Sequence, residues 1–465
     1  MEPYELSAVA LLEAYRSGAL SPVEAMRSVL GRAAAFDPHI KALYLLNAER
    51  AMAEARQSEA RWRLRAPLGP LDGVPATIKD NIATKGDPTP IGTAASELVP
   101  AKADAPPAAR LKEAGAIVFA KTTMPDYGML TSGLSSFHPL TRNPWRLDRN
   151  PGGSSAGAAA AGAARMGPLH LGTDIGGSVR LPAGWCGLVG LKPSFGRVPI
   201  DPPYWGRVAG PLTRNVADAA LMMATLSQPD ARDTMCLPPA AIDWALRPLS
   251  LQGRRFSLAL DVGCGRPAVP DVRDAVARAA ARLEQAGAIV EPQPPFLTQD
   301  MLDGIDRFFR MRSWTEIKAL PSERRSRILP FIVEWAEAAA RFSAEQVFHG
   351  FSQIFEMRKA ALKATGRFDF LLSPTAPITA YAAEWPAPSN DPRDPFGHIG
   401  FTVAFNMSEQ PAASIPCGVD RDGLPIGLQI VGRRFDDVGV LSAVMAYEAL
   451  RGEVMPPWPE PPASN

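Results

Sequence analysis

The chain has 465 residues, with 49 Lys and Arg against 48 Asp and Glu, a formal net charge of +1 and 46% hydrophobic residues. That balance, without a basic block or an aromatic-interleaved basic stripe, excludes an electrostatic footprint for nucleic acid, and no run of about 18 apolar residues offers a membrane-spanning helix. Cys186, Cys236, Cys264 and Cys417 are far apart and form no CxxC or zinc-type grouping with the five histidines, so reduced thiols, no metal and a cytoplasmic location are expected.

In chain order, the opening MEPYELSAVALLEAYRSG carries Glu2, Glu5 and Glu13 in an amphipathic pattern instead of a basic region followed by an apolar core, so no leader is expected. Residues 5–17 and 22–36 read as two helices broken at Ser17-Gly18, and Ser21-Pro22-Val23-Glu24 is a capping box with proline at the first helical position. A strand over 42–47 and a charged helix over 48–60 follow. GVPATIK reads as a strand ending at Lys79, and residues 108–125 turn from helix to strand at Gly115. Helix and strand patterns keep alternating through 218–226, 256–261, 272–287 and 288–292, which predicts an α/β fold with a mostly parallel sheet. No low-complexity linker divides the chain, so one large domain over 1–465 is expected. The proline-rich MPPWPEPPASN reads as a disordered or surface-draped tail.

Chemistry concentrates between Arg149 and Pro199. Two glycine-serine turns, Gly152-Gly153-Ser154-Ser155 and Gly176-Gly177-Ser178, flank an alanine-rich helix and a short strand. Glycine lets backbone approach a ligand, and successive N–H groups running into a helix start form a donor cluster suited to an anion. The N–H groups of Ile175, Gly176, Gly177 and Ser178 are thus expected to converge as an oxyanion hole, with the Ser178 hydroxyl beside them. Gly153-Ser154-Ser155-Ala156-Gly157 also satisfies G-x-S-x-G, which would make Ser155 the nucleophile; the polar, proline-broken TRNPWRLDRNPG before it lacks the buried strand that such an elbow requires. Cys186, in apolar surroundings, reads as an inert thiol, and His138 and His170 have no telling carboxylate partner in sequence. No phosphate-binding or dinucleotide glycine pattern occurs, so no cofactor is expected.

GGSSAGAAAAGA, LGTDIGGSVRLPAGWCGLVGLKPSFGRVP and, upstream, LDGVPATIKDNIATKG closely resemble the signature of the amidase signature hydrolases. From 368 onward, FDFLLSPTAPITA and the GLPIGLQIVG element resemble that family's closing strands. The resemblance implies a single large domain with a central twisted mixed, mostly parallel sheet covered by helices on both faces. It further implies a Ser-cisSer-Lys triad of Ser178 as nucleophile, Ser154 as relay after a cis Gly153–Ser154 peptide, and Lys79 as base, with Ser154 hydrogen-bonded to both partners. Lys79 must then be neutral, which burial can arrange. Asp174 and Arg180 are expected to brace the loop. Residues 69–215 form the catalytic signature core, and 227–366 match the family least. Tyr127 in the core, and Trp314 and Trp335 in the divergent segment, are candidate pocket residues. Ala156 and His138-Pro139-Leu140 depart from the family pattern and bear on substrate, not chemistry. The expected function is hydrolysis of a small apolar or aryl carboxamide, without nucleic acid or membrane and with a homodimer left open. The alternative is the glutaminase (A-type) subunit of a tRNA-dependent amidotransferase, in which Arg307, Arg310 or Arg312 would meet the glutamine carboxylate.

Overall fold

The computed structural model describes residues 2–247 and 249–462. Among them one eleven-stranded sheet organises the chain: β1 (Leu43–Tyr44), β2 (Pro75–Lys79), β3 (Ile117–Thr122), β4 (Leu169–Asp174), β5 (Val189–Lys192), β6 (Val208–Thr213), β7 (Arg255–Leu258), β8 (Ile289–Pro292), β9 (Phe370–Pro374), β10 (Ala412–Val419) and β11 (Pro425–Val431). Their order is β1-β3-β2-β4-β6-β5-β10-β11-β9-β7-β8. Every residue of β2, β3, β4, β5, β6, β9 and β11 is buried, so both faces are covered. Only the edge strands β1 and β8 have no fully buried position.

The sheet is mixed, as expected, but its balance is antiparallel instead of parallel. β3-β2-β4 and β9-β7-β8 are parallel wings, whereas β1-β3 and every pairing from β4 to β9 through β6, β5, β10 and β11 run antiparallel. Connection length explains the split. Helical crossovers such as Pro106–Glu113 and Pro270–Gln285 permit parallel neighbours, while β10 and β11 are joined through a tight turn at Asp420–Leu424, which forces reversal. Alternation of helix and strand in sequence marks the wings and says nothing of the antiparallel centre, where strands distant in sequence such as β5 and β10 also pair.

The alanine-rich helix Ala156–Ala163 is buried at all eight positions. Its small side chains let it lie against backbone: a Cβ on Gly157 would stand 2.2 Å from the Ala42 carbonyl oxygen and 2.4 Å from the Thr123 nitrogen. The capping box at Ser21 and Glu24 forms as read, and its helix runs on to Ile40. The tail is draped and pinned. Trp458 packs on Trp145 with ring centroids 5.7 Å apart, and Glu460 takes Arg32 at 2.5 Å and also Arg165, while the last three residues lie outside the described chain. Among the described residues no helix is long and apolar enough to cross a membrane.

Candidate active site

The two neighbouring parallel strands β2 and β4 end side by side in Lys79 and Asp174, the end of a parallel pair where open α/β sheets place their ligands. Antiparallel β6 enters beside them with Val208 opposite Asp174, so Arg207 arrives at the same edge. The helix Ala156–Ala163 follows the first glycine-serine turn and presents Ser154 and Ser155 to Lys79. The three chain segments thus meet through strand register, not through sequence proximity.

Lys79 is fully buried, and its Nζ donates to Ser154 Oγ at 2.8 Å, Thr173 Oγ1 at 3.0 Å and Ser155 Oγ at 3.1 Å. Burial, and then the positive charge of Arg207, push this lysine well below its ordinary value, against the opposing pull of Asp174 and Asp80. The peptide between Gly153 and Ser154 is cis. Ser154 and Ser178 line one chamber of about 370 Å³, although among the described residues the Ser154 hydroxyl bonds only Lys79 and not Ser178. Ser155 is fully buried, held by Lys79 and the Thr173 backbone, with no histidine against it; the elbow reading has no geometry to support it.

Asp174 and Arg180 form a buried bidentate pair, Nε–Oδ2 at 3.0 Å and Nη2–Oδ1 at 2.9 Å. Asp174 also accepts the N–H groups of Gly177 and Val179, and Arg180 continues to Gln429 Oε1 at 2.7 Å and Asn406 Oδ1 at 2.6 Å. Burial alone would raise the Asp174 carboxyl; the guanidinium and these donors hold it well below the usual carboxylate range. The pair therefore clamps the Ser178 loop onto the sheet. One consequence corrects the expected donor cluster: the Gly177 N–H is committed to Asp174 at 2.8 Å, leaving those of Ile175, Gly176 and Ser178. Gly177 itself sits at φ +127°, where a Cβ would meet Leu181 and Thr402 at 2.6 Å.

A family model described as Amidase matches residues 24–441. The chain belongs to the amidase signature family. It is a hydrolase acting on amide C–N bonds. This amidase is 34% identical to the A-type subunit of the glutamyl-tRNA(Gln) amidotransferase of Symbiobacterium thermophilum, over 95% of this chain and 96% of the relative. Among solved structures it resembles a bacterial aryl acylamidase of the amidase signature family, with TM-score 0.88, 29% identity and 96% of each chain covered. It also resembles the peptide amidase of Stenotrophomonas maltophilia, with TM-score 0.83, 26% identity and 99% of each chain covered.

The pocket residues divide. Tyr127 lines the chamber of the amidase, but Trp314 and Trp335 do not. Trp335 is core, donating to Asp306 Oδ1 at 2.8 Å and packed edge-on to Phe396. Trp314 lies on the helix Gln299–Lys318, whose Phe309, Arg312 and Glu316 are the side chains that reach the site. At about 100° per residue, Trp314 is turned roughly 160° from both Arg312 and Glu316. Of the three arginines considered, Arg310 is spent on Asp306 and the Trp335 and Pro392 carbonyls, and Arg307 lines no part of the site, whereas Arg312 faces it. Cys186 is buried, its thiol raised by desolvation, and His170, bonded to Thr77, is pushed down to about 3 by burial and then by Arg214. His138 pairs with Asp80 at 2.8 Å, a carboxylate partner that no local spacing announces. Thr173, Asn81 and Arg207 also complete the site, and only the register of β2, β4 and β6 reveals them.

Proposed function

We propose that the chain is a self-contained serine amidase in which Ser178 attacks the amide carbonyl of a small substrate with an apolar acyl group. The observation that carries the reading is the buried Lys79 Nζ, 2.8 Å from Ser154 Oγ, in the chamber that Ser178 shares. A lysine depressed by burial accepts a proton that an exposed one would not. The Ser178 hydroxyl turns onto Ser154, its proton passes to Ser154 and that of Ser154 to Lys79, while the new C–O bond forms and the carbonyl becomes an oxyanion. The N–H groups of Ile175, Gly176 and Ser178 receive it. The intermediate collapses, the C–N bond breaks and the relay returns the proton to the nitrogen; water then attacks the acyl-enzyme by the same route. The acyl group enters an apolar slot beside Ser178 lined by Met129, Leu130, Leu181, Phe309, Phe396 and Ile399. All groups used come from one chain.

A second reading, the glutaminase component of an amidotransferase, is favoured by the likeness to the Symbiobacterium thermophilum protein and by Arg312 in the chamber. Ammonia and amine release by the isolated chain separates the two, using aryl, alkyl and amino-acid amides beside free glutamine. Turnover of apolar amides is expected, with Ser178→Ala and Lys79→Ala each lowering kcat by about 10³-fold or more. Release from glutamine alone would support the second reading, and activity surviving in Ser178→Ala would remove the nucleophile.

A further inference from the structure

The two cavities that meet at Ser178 differ in chemistry. The slot holds about 40 Å³ and is walled mainly by carbon, with Arg312 standing between it and the chamber and lining both. That is room for roughly three waters, hence for an acyl chain of about three or four carbons. The chamber is larger, about 370 Å³, and collects Asn81, Thr89, Arg207 and Arg312 together with the carboxylates of Asp174, Asp201 and Glu316, of which Asp174 is spent on Arg180.

Of its two guanidiniums, Arg207 is the less engaged. Arg207 donates from Nη1 to the Pro202 carbonyl at 3.3 Å and, among the described residues, forms no ion pair. Arg312 covers the Tyr204 ring at 3.7 Å and forms a long ion pair with Glu316, Nε–Oε1 at 3.6 Å, so its charge is only partly matched. The two cations face the same space from elements far apart in the chain. Burial, and then the neighbouring charge of Arg312, push the Arg207 guanidinium down to about 10, against the pull of Asp201. A planar anion relieves that repulsion and fills the unused donors, and guanidinium forks match a carboxylate best. Two further buried atoms without hydrogen-bond partners, Asn81 Oδ1 and Thr89 Oγ1, belong to the same wall.

The relay fixes which half of the substrate carries the anion. Ser154 and Thr173 line the chamber and not the slot. The departing nitrogen must take its proton from Ser154, so the amine half stands in the chamber and the acyl half in the slot.

We propose that the substrate is an N-acyl amino acid, its short apolar acyl chain in the slot and its carboxylate held by Arg207 and Arg312. This rests on the Ser178 amidase reading above. Hydrolysis consumes one water: the C–N bond breaks, the acyl carbon passes from Ser178 to the water oxygen, and the relay proton leaves on the nitrogen. The products are a short carboxylic acid and a free amino acid. Asn81 Oδ1 accepts from the substrate N–H.

The test compares kcat/KM of the full-length protein for N-butanoylglycine, for its uncharged analogue N-propylbutanamide, and for succinamic acid, whose carboxylate lies on the acyl half. N-butanoylglycine is expected to be preferred over the uncharged analogue by at least about 100-fold. In Arg207→Gln and Arg312→Gln that ratio falls about tenfold or more, mainly through KM, with Arg207→Lys recovering part of it. Equal turnover of the charged and uncharged amides by the wild type overturns the inference and leaves the amidase reading standing. Preference for succinamic acid overturns the assignment of the anion to the amine half. Turnover of none of the three overturns the inference, and the amidase reading falls with it only where the wider amide panel is also untouched, matching Ser178→Ala; the wild-type ratio decides even where a variant does not fold.

Discussion

Residues 69–215 and 227–366 build the same cavity by opposite means. In the first, Lys79, Ser154, Asp174 and Arg180 are all buried and held by a hydrogen-bond network that runs through strand ends into the sheet. In the second, long helices expose aromatic side chains, Phe348 at 70% and Phe355 at 42%, and send only one face of Gln299–Lys318 to the site. A buried polar network tolerates little change because each member left unpaired is costly, whereas a helix face can exchange side chains without disturbing its own backbone. On the proposed reading the chemistry is anchored in the sheet, and the selectivity is carried by a helix laid over it.

The sharpest way to break that contrast is to cut the clamp. Asp174→Asn leaves the Arg180 guanidinium buried without its counter-charge and is expected to cost about 3–5 kcal/mol, read as a lower urea midpoint at unchanged slope. Because the Asp174 carboxyl is held below its ordinary value of 3.8, the stability it contributes is present above that value and is lost as pH falls below it. The wild type should therefore lose its advantage over the variant in acid. Superimposable unfolding curves at neutral pH would mean that the loop is not held by this pair.

This division also decides what could be read from the sequence. That Lys79, Ser154 and Ser178 should share one site was legible only through the family resemblance: glycine-serine turns leave a local pattern, but a lysine after an apolar strand is by itself an ordinary strand end. Commitment of the Gly177 N–H to Asp174 was not, since it depends on a side chain folding back across a turn. Arg207 was invisible for another reason: it enters only because β6 pairs antiparallel with β4 at Asp174, a contact between strands separated by a helix and another strand. Trp314 was misplaced because large apolar residues at helical spacing mark a helix without saying which face meets the cavity. The antiparallel centre of the sheet escaped for a like reason, as helix-strand alternation reports crossovers and not hairpins.

The second contrast can be sharpened on one helix. Phe309→Ala widens the slot and is expected to shift acyl preference toward longer chains by about tenfold in kcat/KM, the scale of one or two methylenes in an apolar pocket. Trp314→Ala, half-buried on the face turned away, should leave acyl preference where it was. A chain-length series measured on both variants checks this, and an equal shift in the two would place the helix in a different rotation.

The smallest effect ties the two regions together through charge. In the proposed relay Lys79 serves as base only when neutral, so kcat/KM should fall on the acid side as Lys79 takes up a proton. Its depression comes first from burial and next from the charge of Arg207. Arg207→Gln removes that charge, raises the lysine, and moves the acid limb to higher pH. Arg312, beyond Arg207 on the helix side, does not contribute to the Lys79 shift, and Arg312→Gln should leave the limb in place. Profiles of kcat/KM on an uncharged amide isolate this effect from substrate binding. A limb that moves equally in both variants would assign the acid side to the cavity's total charge instead of to the neighbour of Lys79, and a limb that moves in neither would leave burial alone to set the base.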